Sequence, residues 1–378
     1  MHRISIDVMG GDNSPDSVIQ GLEVFLSKNK DKDFRDLCCF NQCDNHSSCS
    51  NSLRNSLCWS ELVGFDLFGN EDDISRLLEK YRIDLNKYNI SIHNTGDNVI
   101  KQDVKVASAI RNAKGTSMYE AVNHVKIGGS DAVVSCGNTG VYMALSKILL
   151  KAMDGIDRPA LLTKIPKQGG HVLMLDVGAN SECNATNFIQ FAIIGSASYS
   201  SIYGEKRPRV AILNIGSEVG KGTKQLNDAY SFLSCYSCIN FCGFIEACDL
   251  FNGDVDVVVT DGFSGNVAIK SMEGATKFMY LTIKRNLLSG LMSRIGSLFS
   301  LSAFKKVSKI MDPRLYNGAF LAGLSGISVK SHGNSDAVAF ANAIETTYKL
   351  VKTGFVSRLS DEISSLSKVD QYSDFVDA

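Results

Sequence analysis

Five times along this chain a short, mainly apolar run ends in glycine and passes into a stretch of helical period. The first is RISIDVM, residues 3 to 9, which meets Gly10-Gly11. Ser14-Pro15 then opens a segment with Val18, Ile19, Leu22, Phe25 and Leu26 on one face. DAVVSCG leads likewise into NTGVYMALSKILL, VLMLDVGAN into a stretch through Phe188, RVAILNIG into another after Gly222, and VDVVVTDGFSG into NVAIKSMEGATKFM. Strands with no polar face are buried on both sides, so alternation with helices predicts a mainly parallel sheet covered on both faces. Each glycine turn falls at the carboxyl end of its strand, where open α/β sheets bind ligands. The turns are expected in register along one sheet edge.

The 378 residues are 44% apolar and 21% charged, enough for one large core or two lobes. A formal charge of −1 supplies no field to recruit nucleic acid or an acidic membrane, so an electrostatic partner must be met locally. MHRISIDVMGGD lacks the apolar core of a signal peptide, and no run of about 18 apolar residues marks a membrane span. The cytoplasm is the expected compartment, with the eleven cysteines reduced.

Cys235, Cys238, Cys242 and Cys248 are spaced C-x2-C-x3-C-x5-C. The first two end a helical pattern and Cys242 falls within the apolar run INFCGFI, so they read as small hydrophobes rather than metal ligands. Cys38, Cys39, Cys43, Cys49 and Cys58 lie in a Ser/Asn-rich stretch, residues 31–63, without paired ligand spacing, and read as a loop insert. Residues 274–311 hold seven basic residues and no acid, in an amphipathic helical pattern. Residues 357–378 turn polar and acidic, a loose tail to a main domain of residues 1–356.

Glycine-rich strand ends offer unpaired backbone N–H groups, and a helix that follows adds its positive end, a combination suited to phosphate. Two common phosphate motifs are absent. IGSEVGKGT has three residues between glycines where a P-loop has four, and Gly222 where a hydroxyl should bind magnesium. No strand leads into G-x-G-x-x-G with its acidic partner. Lys221, between two glycines, stands on a turn from which it can reach an anion. Nucleophile candidates are Cys136 in VVSCGNTG and Ser264 in DGFSGN, the latter short of a G-x-S-x-G elbow. Asn138, Asn180 and Asn266 each follow a glycine turn, where an amide holds a carbonyl oxygen or caps a helix. Asp7, Asp12, Asp176 and Asp261 fall at strand ends, read as turn caps and lysine partners ahead of a magnesium cluster.

The segments MGGDNSP, SCGNTGVYM, IDRPAL, LDVGAN, ILNIGSEVGKG, VVVTDGFSGNV with Lys270 and Glu273-Gly274, and SHGNSD resemble the bacterial phosphate acyltransferases of phospholipid synthesis, the PlsX family, in that family's order and over most of residues 1–350. The resemblance implies a three-layer Rossmann-like α/β sandwich, akin to isopropylmalate dehydrogenases and phosphate acetyltransferases, working as a homodimer. The implied reaction moves an acyl group from acyl carrier protein to orthophosphate. Its product feeds a membrane glycerol-3-phosphate acyltransferase, and the enzyme touches the membrane peripherally. Lys221 matches the family's catalytic lysine and Asn266 its catalytic asparagine. Asn13 stands where the family usually has histidine, and Cys136 where it usually has alanine, which argues against a covalent cysteine.

Orthophosphate is itself a competent nucleophile, so the residues need only position it and stabilise the tetrahedral oxyanion. Lys221 is expected to bridge phosphate and the developing charge while Asn266 holds the thioester oxygen. Gly10, Gly11, Asp12, Gly137, Asn138, Thr139, Gly140, Asn180, Asp261 and His332 are the expected substrate-binding set. The chemistry calls for no metal, cofactor or nucleic acid. A coenzyme A-dependent phosphate acetyl- or butyryltransferase and a non-catalytic membrane-associated scaffold are the alternatives.

Overall fold

The structure, a computed structural model, describes residues 1–29, 63–101, 104–290 and 312–369, with isolated positions between 293 and 307 and at Tyr372. The Cys/Ser/Asn-rich stretch lies outside the described residues, apart from Val63. Strands β1 (His2–Asp7), β2 (Val63–Gly69), β3 (Ile90–Asn94), β4 (Ala132–Ser135), β5 (Ala160–Lys167), β6 (Gly170–Leu175), β7 (Arg209–Leu213), β8 (Asn240–Ile245), β9 (Val257–Val259), β10 (Ala319–Ala322) and β11 (Ile327–Lys330) form one sheet. Their order is β3-β2-β1-β4-β11-β10-β5-β6-β9-β7-β8.

Helices cover both faces, as the unbroken apolar strands require. On one face lie α1 (Asp16–Asn29), α2 (Glu71–Lys80), α6 (Ala185–Tyr203), α7 (Lys224–Cys235), α9 (Ala337–Lys352) and α10 (Phe355–Leu366), which share one core with Ile4, Ile6, Val134, Leu175 and Val259. Alternate strand residues point the other way. Val133 packs there with α4 (Ser117–Lys126) and α5 (Thr139–Leu150), beside which α3 (Val106–Arg111) lies. Val172, Met174 and Val258 pack against the first turns of α8 (Gly262–Leu288). Three layers result, with one continuous core on the first face and two on the second.

The sheet is not parallel throughout. β10 runs against both β11 and β5, and β5 runs against β6. These three reversals leave β6, β9, β7 and β8 running opposite to β3, β2, β1, β4 and β11, each group parallel within itself. The glycine turns do close carboxyl ends of strands, but they point in two opposite directions rather than lying along one edge. Two short hairpins, β5–β6 and β10–β11, set this reversal when β10 pairs with the distant β5, and no local pattern encodes that long-range pairing.

Two further expectations change. The segment after residue 356 is helical: Phe355, Leu359, Ile363 and Leu366 are buried against α6, and the Gln190 amide donates to the Tyr372 hydroxyl at 2.7 Å. Its polar residues form only the outer face of an amphipathic helix. Cys235, Cys238, Cys242 and Cys248 are all exposed instead of filling a core.

Candidate functional site

At the first carboxyl end, Asp7, Ser135 and Lys330 stand side by side as the last residues of β1, β4 and β11. Asp7 is fully buried. Its carboxylate accepts the Ser135 hydroxyl at 2.6 Å and the Ser117 hydroxyl at 2.7 Å. Burial pushes its pKa above the usual carboxylate range, against the pull of those two hydroxyls. The β1 turn packs directly onto this carboxylate. A Cβ on Gly10 would stand 2.4 Å from Asp7 Oδ2, and one on Gly11, whose φ is +125°, would stand 2.7 Å from Cys136 Sγ, so both positions require glycine.

The neighbouring turns lock to the first. The Asp12 N–H donates to the Gly333 carbonyl at 2.8 Å, and the Asn13 amide to the Asn334 carbonyl at 3.3 Å. Asn138 caps α5 by accepting from Val141 N–H at 3.1 Å, which leaves Thr139 and Gly140 in the first turn of that helix, beside Gly137. His332 is exposed, its N–H donating to Asn317 Oδ1 at 3.1 Å. Cys136 is 2% exposed, its thiol donates to the Gly10 carbonyl, and burial pushes its pKa up to about 11. Such a thiol is a packing group and not a nucleophile.

The second carboxyl end is built on Asp176. This carboxylate accepts the backbone N–H groups of Leu161 at 3.0 Å, Gly178 at 3.1 Å, Ala179 at 2.9 Å and Asn180 at 2.7 Å, and the Asn180 side-chain amide at 2.8 Å. Asp261 caps α8 through Ser264 N–H at 2.7 Å, and Gly262 N–H donates to the Asn180 carbonyl at 2.7 Å, tying the two turns together. These two carboxylates therefore act as turn caps. They lie at the opposite end of the sheet from Asp7 and Asp12, so the four do not form one magnesium cluster.

Asn266, one turn into α8, donates to the Val177 carbonyl at 3.3 Å and lies over Gly178, where a Cβ would stand 2.9 Å from its Nδ2. Lys221 follows β7, the strand next to β9. The loop backbone around it is pinned, since its carbonyl accepts the amides of Asn214 and Asn227, each at 3.0 Å. Its side chain is half exposed and pairs with Glu218 at 2.7 Å, which raises its pKa. A cation in a solvent-screened pair exchanges partners readily, so an arriving anion can replace Glu218.

The sheet thus brings Lys221, Asn266, Asn180 and Asp261 to one end, and Gly10, Gly11, Asp12, Gly137–Gly140 and His332 to the other. Sequence reasoning missed Lys330, Ser117 and Ser135. Ser135 and Lys330 were visible as polar residues interrupting apolar strand ends. Among the described residues, one group has metal-ligand geometry, Asp66 with His93 and His124, whose ligand atoms lie within 4.8 Å of one another. Asp66 there already accepts the Arg3 guanidinium at 2.6 and 2.8 Å and the Ser130 hydroxyl at 2.7 Å, and Arg3 opposes a second cation.

The three-layer α/β sandwich is the fold of two solved phosphotransacetylases. EutD phosphotransacetylase from Staphylococcus aureus superposes with a TM-score of 0.54 at 14% identity, over 93% of this chain and 94% of that one. A phosphotransacetylase from Streptococcus pyogenes gives 0.56 at 15%, over the same shares. Residues 58–358 match the family model of fatty acid synthesis proteins. The phosphate acyltransferase of Rhodospirillum rubrum is 39% identical over 364 residues, spanning 96% of this chain and 95% of its own. That of Neorickettsia sennetsu is 38% identical over 366 residues, 96% and 97% of the two chains. The chain belongs to the phosphate acyltransferase family.

Proposed function

We propose that the protein transfers an acyl group from acyl carrier protein to orthophosphate, giving an acyl phosphate for phospholipid synthesis, and that phosphate attacks the thioester directly. One observation carries this reading: Lys221 and Asn266 leave the adjacent strands β7 and β9 at the same end. A flexible cation and a fixed amide there can share one small substrate. In the attack, a phosphate oxygen bonds to the thioester carbon, the carbonyl π electrons move onto oxygen, and collapse of the oxyanion expels the carrier thiolate. Lys221 neutralises phosphate and the developing charge, and the free N–H of the Asn266 amide holds the oxyanion. Asp176, Asn180 and Asp261 keep the turns in place.

The glycine end bears on the same reaction through a second copy. β4 and β7 are separated by six strand spacings, about 29 Å at about 4.8 Å each, and their carboxyl ends point apart. One phosphate cannot span that distance, so a homodimer that sets the glycine end of one chain against the Lys221 end of its partner would complete the phosphate cradle. Activity per chain should then fall on dilution below the dimer dissociation constant.

The reading also places the protein against a membrane, where its lipophilic product passes to a glycerol-3-phosphate acyltransferase. Among the described residues no helix is long and apolar enough to cross a bilayer. The outer part of α8, however, exposes Phe278, Met279, Tyr280, Leu281 and Ile283, beside Lys284 and Arg285. These apolar side chains stand uncovered in the single chain, and an anionic bilayer supplies both an apolar phase and negative charge for the basic residues beside them.

The test is release of thiol from long-chain acyl-carrier thioesters and from acetyl- and butyryl-coenzyme A, with and without orthophosphate. Phosphate-dependent release from the carrier thioester is expected. Preference for coenzyme A would favour the acetyl- or butyryltransferase reading, and no release from either would leave a scaffold.

A further inference from the structure

Lys330 is 7% exposed, at the end of β11, under the glycine turns. Its ammonium donates to the neighbouring Ser331 carbonyl, and among the described residues no carboxylate comes within ion-pair reach of it. Asp7 and Asp12 are near enough to act on it as charges, but neither carboxylate comes within ion-pair reach of it. Asp7 is turned to Ser117 and Ser135, two strand spacings or about 10 Å across the sheet, and the Asp12 backbone is tied to Gly333. A buried cation without a counter-ion is costly and is ordinarily paired or neutralised. The surroundings are suited to an anion. The first turn of α5 at Thr139–Gly140 opens at this end with its positive pole outward, and Gly10, Gly11 and Gly137 let backbone approach closely.

We propose that Lys330 is a phosphate-binding residue whose ammonium holds an oxygen of the phosphate seated at the β1, β4 and β11 turns. The inference rests on the reading that this end takes phosphate, and it assigns the charge there to a residue outside the Lys221–Asn266 pair. The bound group is orthophosphate before transfer, or the same phosphate as acyl phosphate after it. Burial lowers the Lys330 pKa to about 8, and an anion would restore it.

The test is titration calorimetry of the intact protein with orthophosphate, without acyl donor, on wild type and on Lys330→Met and Lys330→Gln. Both variants should fold, because each removes a buried charge. Both should bind phosphate roughly tenfold more weakly or worse, the loss expected of one hydrogen bond to a charged group. Steady-state turnover should show the same rise in phosphate KM with the acyl-donor KM unchanged. A wild-type effect of acyl phosphate as a competitor of orthophosphate, lost in the variants, separates product from substrate binding.

Wild-type affinity should also fall as pH rises through about 8, while the variants stay flat. Asp7, Asp12, Cys136 and His332 surround Lys330 in wild type and variants alike, so the difference between the two pH profiles reads Lys330 itself. Folded variants that bind phosphate as tightly as wild type would overturn the assignment while leaving the reaction standing. A wild type that binds phosphate through Lys330 but shows no phosphate-dependent thiol release would sink the reaction and leave the assignment.

Discussion

Lys167 and Asp256 face each other at 2.6 Å with 5% and 12% of their side chains exposed, tying the β5–β6 hairpin to the start of β9. Arg209 adds its backbone N–H at 2.9 Å and its guanidinium at 3.0 Å to the same carboxylate. Burial alone would raise the Asp256 pKa; the hydrogen bonds from Arg209 and Lys167 more than offset it and hold the group at about 2. Asp256→Asn leaves Lys167 buried without its counter-charge and should cost about 3 kcal/mol or more in urea unfolding. Because the folded pKa lies below the unfolded value of about 3.9, this stabilisation is present above pH 4 and is lost as pH falls toward 2. The gap between wild type and variant should therefore close in that window.

Lys221→Ala and Asn266→Ala should each lower turnover about a hundredfold or more, the scale of one lost oxyanion donor. Circular dichroism and melting should stay near wild type for Lys221→Ala, whose side chain is half exposed. A drop in activity that tracks a drop in stability would remove the catalytic role.

Cys136→Ala should stay active, since the thiol is buried and its pKa near 11 leaves almost no thiolate at neutral pH. Intact-protein mass spectrometry during turnover should find no acyl adduct. A dead variant together with an adduct on the wild type would replace direct attack by a covalent route.

Phe278→Glu with Leu281→Glu should weaken flotation with anionic liposomes, and wild-type binding should fade as salt rises, since each basic side chain near such a surface contributes about 1 kcal/mol. Leu298, on the same basic stretch, lies outside the described residues, but Phe299 is 87% exposed and Phe299→Glu should act in the same direction. If the double variant still floats while its sedimentation shifts to monomer, the apolar surface is a dimer contact instead.

Much of this was written in local patterns. RISIDVM, DAVVSCG and VDVVVTDG announce buried strands, and Asn138 and Asp261 take up the caps their positions suggest. Phe355, Leu359, Ile363 and Leu366 also carry a helical period, hidden by the polar residues between them. What no local pattern carries is direction. β10 and β11 have four residues each and find their partners far away in sequence, so nothing near them tells that Asn266 and Gly137 face opposite ways. Lys330 escaped notice for a related reason. A lysine at a strand end reads as a solvent group until β4 and β10 are placed on either side of it.

The reversal in the middle of the sheet has a consequence for how the chain comes into being. β4 and β5 are neighbours in sequence but not in the sheet, and the two strands that fill the gap come from residues 319–330, near the end of the chain. Until those residues leave the ribosome, β4 and β5 carry unpaired backbone along apolar edges, the kind of edge that recruits another chain. Halted or truncated products that stop before residue 319 should therefore gather into aggregates rather than wait as half-folded lobes. The Gly137 end and the Asn266 end acquire their relative placement only once residues 319–330 have been made.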